Sequence, residues 1–186
     1  MVDIVNNRCL IASSPYLVAL TLWCAGAATA GAEPKWVPSH EGWVNDTARV
    51  LSEPDRRRLS DKLSHYHEET FHQLVVLIVP TLSGESIETF SFRVANSWGL
   101  GYKGLDNGIL VNLAMKEHEV RIELGKGMER YISDAKVKSI IESSMTPAFA
   151  KGDFAGGLER GLDQLMEEAR RFVVKATDLP GGAVLH

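Results

Sequence analysis

Asp106, Asn107 and Glu129 are the residues whose types and surroundings best suit chemistry in this chain. Each offers a hard oxygen, and hard oxygens gathered on a shaped backbone suit Ca2+ or Mg2+. They lie in the most glycine-punctuated part of the sequence, Trp98-Gly-Leu-Gly-Tyr-Lys-Gly-Leu-Asp-Asn-Gly108 and Gly125-Lys-Gly-Met-Glu129. Between these stretches sit two apolar runs, 109–115 and 119–124, joined by the polar turn Lys116-Glu-His118. The second run alternates at period two, the mark of a half-buried strand, so the pair predicts a hairpin. In a hairpin the residues before the first strand and after the second lie at the same end of the sheet. Asp106, Asn107 and Glu129 are therefore expected on one rim, with Asp134 five residues further on. The bland account of Asp106-Asn107-Gly108 is ordinary turn chemistry, because these residues tolerate left-handed backbone. Asp46 is a further carboxylate whose place the topology leaves open. Residues 46–52 could run back along much of the sheet at about 3.3 Å per residue.

The elements that must position these groups follow from periodicity. Ser52-Glu-Pro-Asp55 reads as a helix start, and Leu59, Leu63 and Tyr66 continue it as an apolar stripe. Gln73-Leu-Val-Val-Leu-Ile-Val79 is an unbroken β-branched run, which predicts a central strand buried on both faces. Ile87, Phe90, Val94 and Trp98 share one face of a second helix, and the strand from Gly108 completes a right-handed βαβ crossover. Ser133 or Asp134 caps a third helix that Thr146-Pro147 breaks, and Asp153 opens a fourth bearing Leu158, Leu162, Leu165, Ala169 and Phe172. Gly156, Gly157 and Gly161 in that last pattern predict close backbone packing. The expected class is α/β, in the order αβαββαα: a small mixed sheet with a central parallel βαβ and an antiparallel edge hairpin, flanked by about four helices as a three-layer sandwich.

Domain bounds come from composition. Residues 1–32 form a leader: Cys9 to Ala30 carries no charge, and Ala28-Thr-Ala30 and Ala30-Gly-Ala32 are small-x-small sites. This is the pattern of a signal peptide, and it is also long enough to serve as an N-terminal membrane anchor if uncut. Residues 33–45 form a Pro/Trp-containing lead-in, 46–174 the domain, and 175–186 a flexible tail. Losing Asp3 and Arg8 with the leader leaves the formal net charge at −4. Both cysteines, Cys9 and Cys24, go with it, so the exported domain carries no thiol, which suits an oxidising compartment. The expected location is the periplasm or outside the cell, or else the inner membrane through residues 9–30. Mild acidity, with no basic cluster interleaved with aromatics, argues against nucleic acid. A monomer is expected.

Other chemistries are poorly supported. His67-Glu-Glu-Thr-Phe-His72 misses the zinc-protease spacing, because position 71 is Phe. His65, His67 and His72 read instead as surface histidines near a helix end. There is no Gly-x-Ser-x-Gly elbow and no phosphate loop of the Gly-Lys-Ser/Thr type. Arg93, Arg121 and Arg130 are expected to pair with acidic neighbours. Asn45-Asp-Thr47 matches a glycosylation acceptor too short to be specific.

Several of these residues together carry a resemblance to a known family: Val44-x-Asp46 with Leu51-Ser52, Trp98-Gly-x-Gly101, Asp106-Asn-Gly108, Arg121-Ile with Gly125-x-Gly-Met-Glu129, Asp134, and Gly152-Asp153-Phe154. Over residues 43–172 the chain resembles the TPM domain, also called the thylakoid-phosphatase-like domain. The resemblance implies a helix-flanked mixed sheet. Some members look like divalent-metal binders, and plant relatives are described as acid phosphatases that help to maintain photosystem II. Bacterial members are exported, often with a transmembrane helix and glycine-rich tail after the domain. Neither is expected here, which leaves the leader as the expected membrane attachment. Carried over residue by residue, the resemblance implies a Ca2+ or Mg2+ site drawn from Asp46, Asp106, Asn107, Glu129 and Asp134. It implies an accessory or assembly factor for other envelope proteins, with metal-assisted phosphomonoester hydrolysis as the alternative.

Overall fold

The computed structural model of the chain describes residues 36–179, so the expected leader and residues 180–186 lie outside the described residues. The first element is a short strand, β1 (Val44–Asp46), followed by α1 (Glu53–Thr70) and β2 (Gln73–Val79). Then come α2 (Ile87–Trp98), β3 (Gly108–Ala114) and β4 (Glu119–Leu124). The C-terminal part carries α3 (Asp134–Ile140), a π-helical turn (Ile141–Met145), α4 (Thr146–Phe149) and α5 (Phe154–Ala169). The sheet order is β1-β2-β3-β4; β1, β2 and β3 run parallel, and β4 returns antiparallel at the edge.

The expected α/β class and the βαβ-plus-hairpin sheet are present. The lead-in, however, contains a strand that was not expected from its sequence. Only Val44 of β1 turns a large apolar side chain into the core, and three residues are too few to show alternation. Asn45 is buried there, with its amide donating to the Gly42 carbonyl at 2.7 Å, so it is no glycan acceptor.

The layers follow from the two faces of β2 and β3. Leu74, Val76, Ile78, Ile109, Val111 and Leu113 meet the apolar stripes of α1 and α5. Val75, Leu77, Val79, Leu110 and Ala114 meet Phe90 and Val94 of α2. Serine caps start three helices: the side chains of Ser52, Ser86 and Ser133 accept from the backbone N–H three residues on.

Three local expectations change. Thr146-Pro147 does not end the helical run. Thr146 N–H bonds to the Ile141 carbonyl, a five-residue step, and Pro147 then takes the first turn of α4, where its missing N–H goes unneeded. The glycines of α5 meet side chains, not backbone: a Cβ on Gly157 would stand 2.5 Å from the Phe149 ring, and one on Gly161 would strike Met145. The expected tail is partly folded, since Ala176–Asp178 form a 3-10 turn with Val174 and Leu179 buried around it. Among the described residues no helix is long and apolar enough to cross a membrane.

Candidate functional site

The α2–β3 loop and the turn after β4 are joined backbone to backbone. Gly125 N–H donates to the Gly108 carbonyl at 2.8 Å, and Gly127 N–H to the Asp106 carbonyl at 3.0 Å. Met128 and Glu129 N–H close the turn onto the Gly125 carbonyl. The glycines permit this approach. A Cβ on Gly125 would run into the Asp106 carbonyl, and one on Gly127 into the Leu105 carbonyl. Asp106 itself has φ +47°, a left-handed conformation that an aspartate tolerates better than most residues.

This weave brings Asp106 and Glu129 to one recess of about 330 Å³. It is lined by Phe92, Ala95 and Asn96 of α2, by Leu110 and Leu124 of the sheet, and by Lys126. Both carboxylates are exposed, and neither has a hydrogen bond or ion pair among the described residues. Glu123 also lines the recess, but Arg121 Nε holds it at 2.7 Å.

The other expected ligands are placed elsewhere. Asn107 is fully buried, and both ends of its amide are taken: Oδ1 accepts from Tyr102 N–H at 2.9 Å, and Nδ2 donates to the Phe71 carbonyl at 2.8 Å. Gln73 adds a second tie between the same segments, its Oε1 accepting from Gly101 N–H at 2.7 Å and its own N–H donating to the Asn107 carbonyl. Asn107 therefore fastens the α1–β2 junction beneath the rim and offers no oxygen to a ligand there. Asp46 pairs in register with Ile78, whereas the rim begins where Gln73 pairs with Gly108. That sets Asp46 at the opposite end of the sheet, on the order of 16 Å away at 3.3 Å per residue. Its Oδ2 accepts from Leu51 N–H at 2.8 Å and ties the loop into α1, while its Oδ1 is buried without a partner among the described residues. Asp134 opens α3 and lines a different recess, beside Arg121 and Lys138. Among the described residues no three His, Cys, Asp or Glu side chains stand together as a ready ligand set. Two of the five expected ligands, Asp106 and Glu129, remain as a pair.

The histidines divide. His65 is exposed and stands 3.2 Å from Glu69, as a surface histidine should. His67 is half-buried between Trp43 and Tyr102, its Nδ1 on the His72 carbonyl at 2.9 Å. His72 is not a surface residue: it is wholly buried where α1, β2 and the end of α5 meet. Its Nε2 donates to the Phe172 carbonyl at 2.7 Å, which leaves Nδ1 to accept from the Tyr66 hydroxyl at 2.7 Å. A residue just before a strand carries no periodic signal of burial, so the sequence did not reveal it.

Burial holds the His72 imidazole below the ordinary histidine range, with the Arg170 guanidinium acting in the same direction. Burial likewise pushes the Tyr66 hydroxyl up to about 12, so it remains a donor. Because the folded pKa of His72 lies below the unfolded one, the unfolded chain binds more protons between them. The contribution of His72 to stability should be constant above its ordinary titration range, at about pH 6.5, and fall as the pH drops through it. Thermal unfolding between about pH 7.5 and pH 5 checks this: His72→Gln should flatten the slope while lowering the midpoint throughout. An unchanged slope would assign the pH dependence to other groups.

Arg93 and Arg121 pair with Glu85 and Glu123 as expected, at 2.6 and 2.7 Å. Arg130 forms no ion pair among the described residues.

A family model described as the TPM domain matches residues 44–168. Among solved structures, the chain is similar to the solution NMR structure of the N-terminal domain of a P.gingivalis protein. The two are 26% identical with a TM-score of 0.61, over 77% of this chain and 88% of that one. It is also similar to the NMR structure of a protein from the psychrophilic bacterium Bizionia argentinensis, at 19% identity and TM-score 0.58, over 70% and 90% of the two chains. A third likeness is to the N-terminal domain of a Corynebacterium glutamicum protein, at 16% identity and TM-score 0.54, over 72% and 87%. The last two bear on the fold alone. The search of curated proteins gave no match.

Proposed function

The chain belongs to the TPM domain family, and we propose that this member is an exported binding domain that takes Ca2+ or Mg2+ between Asp106 and Glu129. In that role it serves other envelope proteins as an accessory or assembly factor. One observation supports the site above the rest: two carboxylates without a partner among the described residues, carried on loops locked to each other through backbone hydrogen bonds, line the same recess. Hard carboxylate oxygens suit these cations, with water filling the remaining positions. A bound cation supplies the positive charge that the pair lacks and ties the loop 100–108 to the turn 125–129. With only two protein carboxylates, the affinity expected is about 10⁻⁴–10⁻³ M, the range of extracellular Ca2+ modules.

Lys126 in the same recess supports a second reading. A phosphomonoester could set its anionic oxygens on Lys126, with the cation as Lewis acid. Turnover of a generic phosphate ester that requires metal and disappears in Asp106→Asn would favour it; the accessory role predicts no such turnover.

Calorimetric titration with CaCl2 and with MgCl2 tests the site. Asp106→Asn is preferred to Ala, since Asn keeps the left-handed backbone while removing the charge. Asp106→Asn and Glu129→Gln should each weaken binding by about tenfold or more, roughly the loss of one charged oxygen ligand. Asp46→Asn and Asp134→Asn should bind as the unaltered chain does. No heat from the unaltered chain, or equal heat from Asp106→Asn, would remove the site.

A further inference from the structure

Among the described residues the outer edge of β4 pairs with no strand. Gly125 N–H bonds to the Gly108 carbonyl, which fixes the alternation of the β3–β4 ladder. In that alternation Glu119, Arg121 and Glu123 turn their backbone groups toward β3. Val120, Ile122 and Leu124 therefore turn theirs outward, and no hydrogen bond engages them among the described residues. An open recess of about 380 Å³ runs beside this edge, between Ile87 and Glu88 of α2 and Val137 and Ile141 on the other face. Free backbone groups along a strand beside such a groove are a template for another strand.

We propose that the occupant is a second copy of this chain, with β4 pairing antiparallel to its counterpart about a two-fold axis at Ile122. The sequence Glu119-Val-Arg-Ile-Glu-Leu124 is self-complementary in that register. Ile122 meets Ile122, and Val120 meets Leu124, all on the face that holds the main core. Each of these is an outward-facing pair that exchanges two N–H···O bonds. On the α2 face, Arg121 of each copy falls opposite Glu123 of the other. These are the non-hydrogen-bonded positions, where side chains approach most closely. The neighbouring register, centred on Arg121, sets arginine against arginine and Glu119 against Glu123, which disfavours it. Within one copy Arg121 already contacts Glu123 at 2.7 Å, so pairing exchanges an internal partner for one across the axis and leaves both of these charges paired. The result is one continuous eight-stranded sheet, two copies of the four-stranded one, in place of the monomer expected from the sequence.

Sedimentation of the full chain over a wide concentration range tests this. The unaltered chain should dimerise. Arg121→Glu and Glu123→Arg, each placing like charges opposite one another, should each dimerise about tenfold more weakly or worse. An equal mixture of the two variants should recover the affinity. In the mixed pair the carboxylates at 121 and 123 of one copy face the guanidinium groups at 123 and 121 of the other. That recovery excludes misfolding and association through an apolar leader. A chain that stays monomeric at every concentration, variants that dimerise like the unaltered chain, or a mixture that recovers nothing would overturn the proposal.

Discussion

Replacing Asn107 by alanine should lower folding stability by about 2–4 kcal/mol, although the side chain touches no ligand. The substitution leaves the Tyr102 N–H and the Phe71 carbonyl without their partners, and Asn107 is fully buried, so water does not replace the lost amide without disturbing the packing. Each stranded polar group costs about 1–3 kcal/mol. Aspartate at the same position should do no better, despite its nearly identical shape. Its oxygens still accept from Tyr102, but they repel the Phe71 carbonyl and bring a charge into the interior. Urea unfolding with an unchanged m-value is the measurement. An Asp variant close to the unaltered chain would mean that shape, not the donated hydrogen bond, is what matters at 107.

Gly127→Ala should have a comparable effect, a loss of about 3 kcal/mol, for a different reason. Gly127 does not have a left-handed backbone, so alanine suffers no conformational strain. The cost is collision: the added Cβ meets the Leu105 carbonyl and stands 3.1 Å from that of Asp106, both of them backbone atoms that no rotamer change relieves. Relief requires the turn after β4 to move off the α2–β3 loop, which separates Glu129 from Asp106. Gly104 provides the contrast. It has φ +86°, and a Cβ placed there would meet nothing within 4 Å. Gly104→Asn should therefore cost only about 1 kcal/mol. Equal losses at the two positions, read by thermal unfolding, would contradict the weave.

What was legible in the chain was the hairpin, and with it the meeting of Asp106 and Glu129. Period-two alternation at 119–124 and the glycines on either side fix which loops share an end of the sheet. The direction of a turn side chain was not legible. Asp106 and Asn107 are adjacent and of similar shape, yet one is exposed and the other is the interior fastening of the loop. Asp46 could not be placed because its position depends on β1, whose pairing with β2 is set by tertiary contact and not by pattern. Asp134 is close to Glu129 in sequence, but the turn through 130–133 carries it to the β4 edge. His72 shows the same limit: one of the two partners of its buried ring is the Phe172 carbonyl, 100 residues away in the chain.

Whether the Asp106–Glu129 recess takes a hard cation is tested most directly by backbone amide chemical shifts during a CaCl2 titration. A cation held there should give saturable shifts concentrated in residues 100–108 and 124–130, with those around Asp46 and Asp134 unmoved. Shifts centred on the 46–51 loop, or none at any Ca2+ concentration, would contradict it.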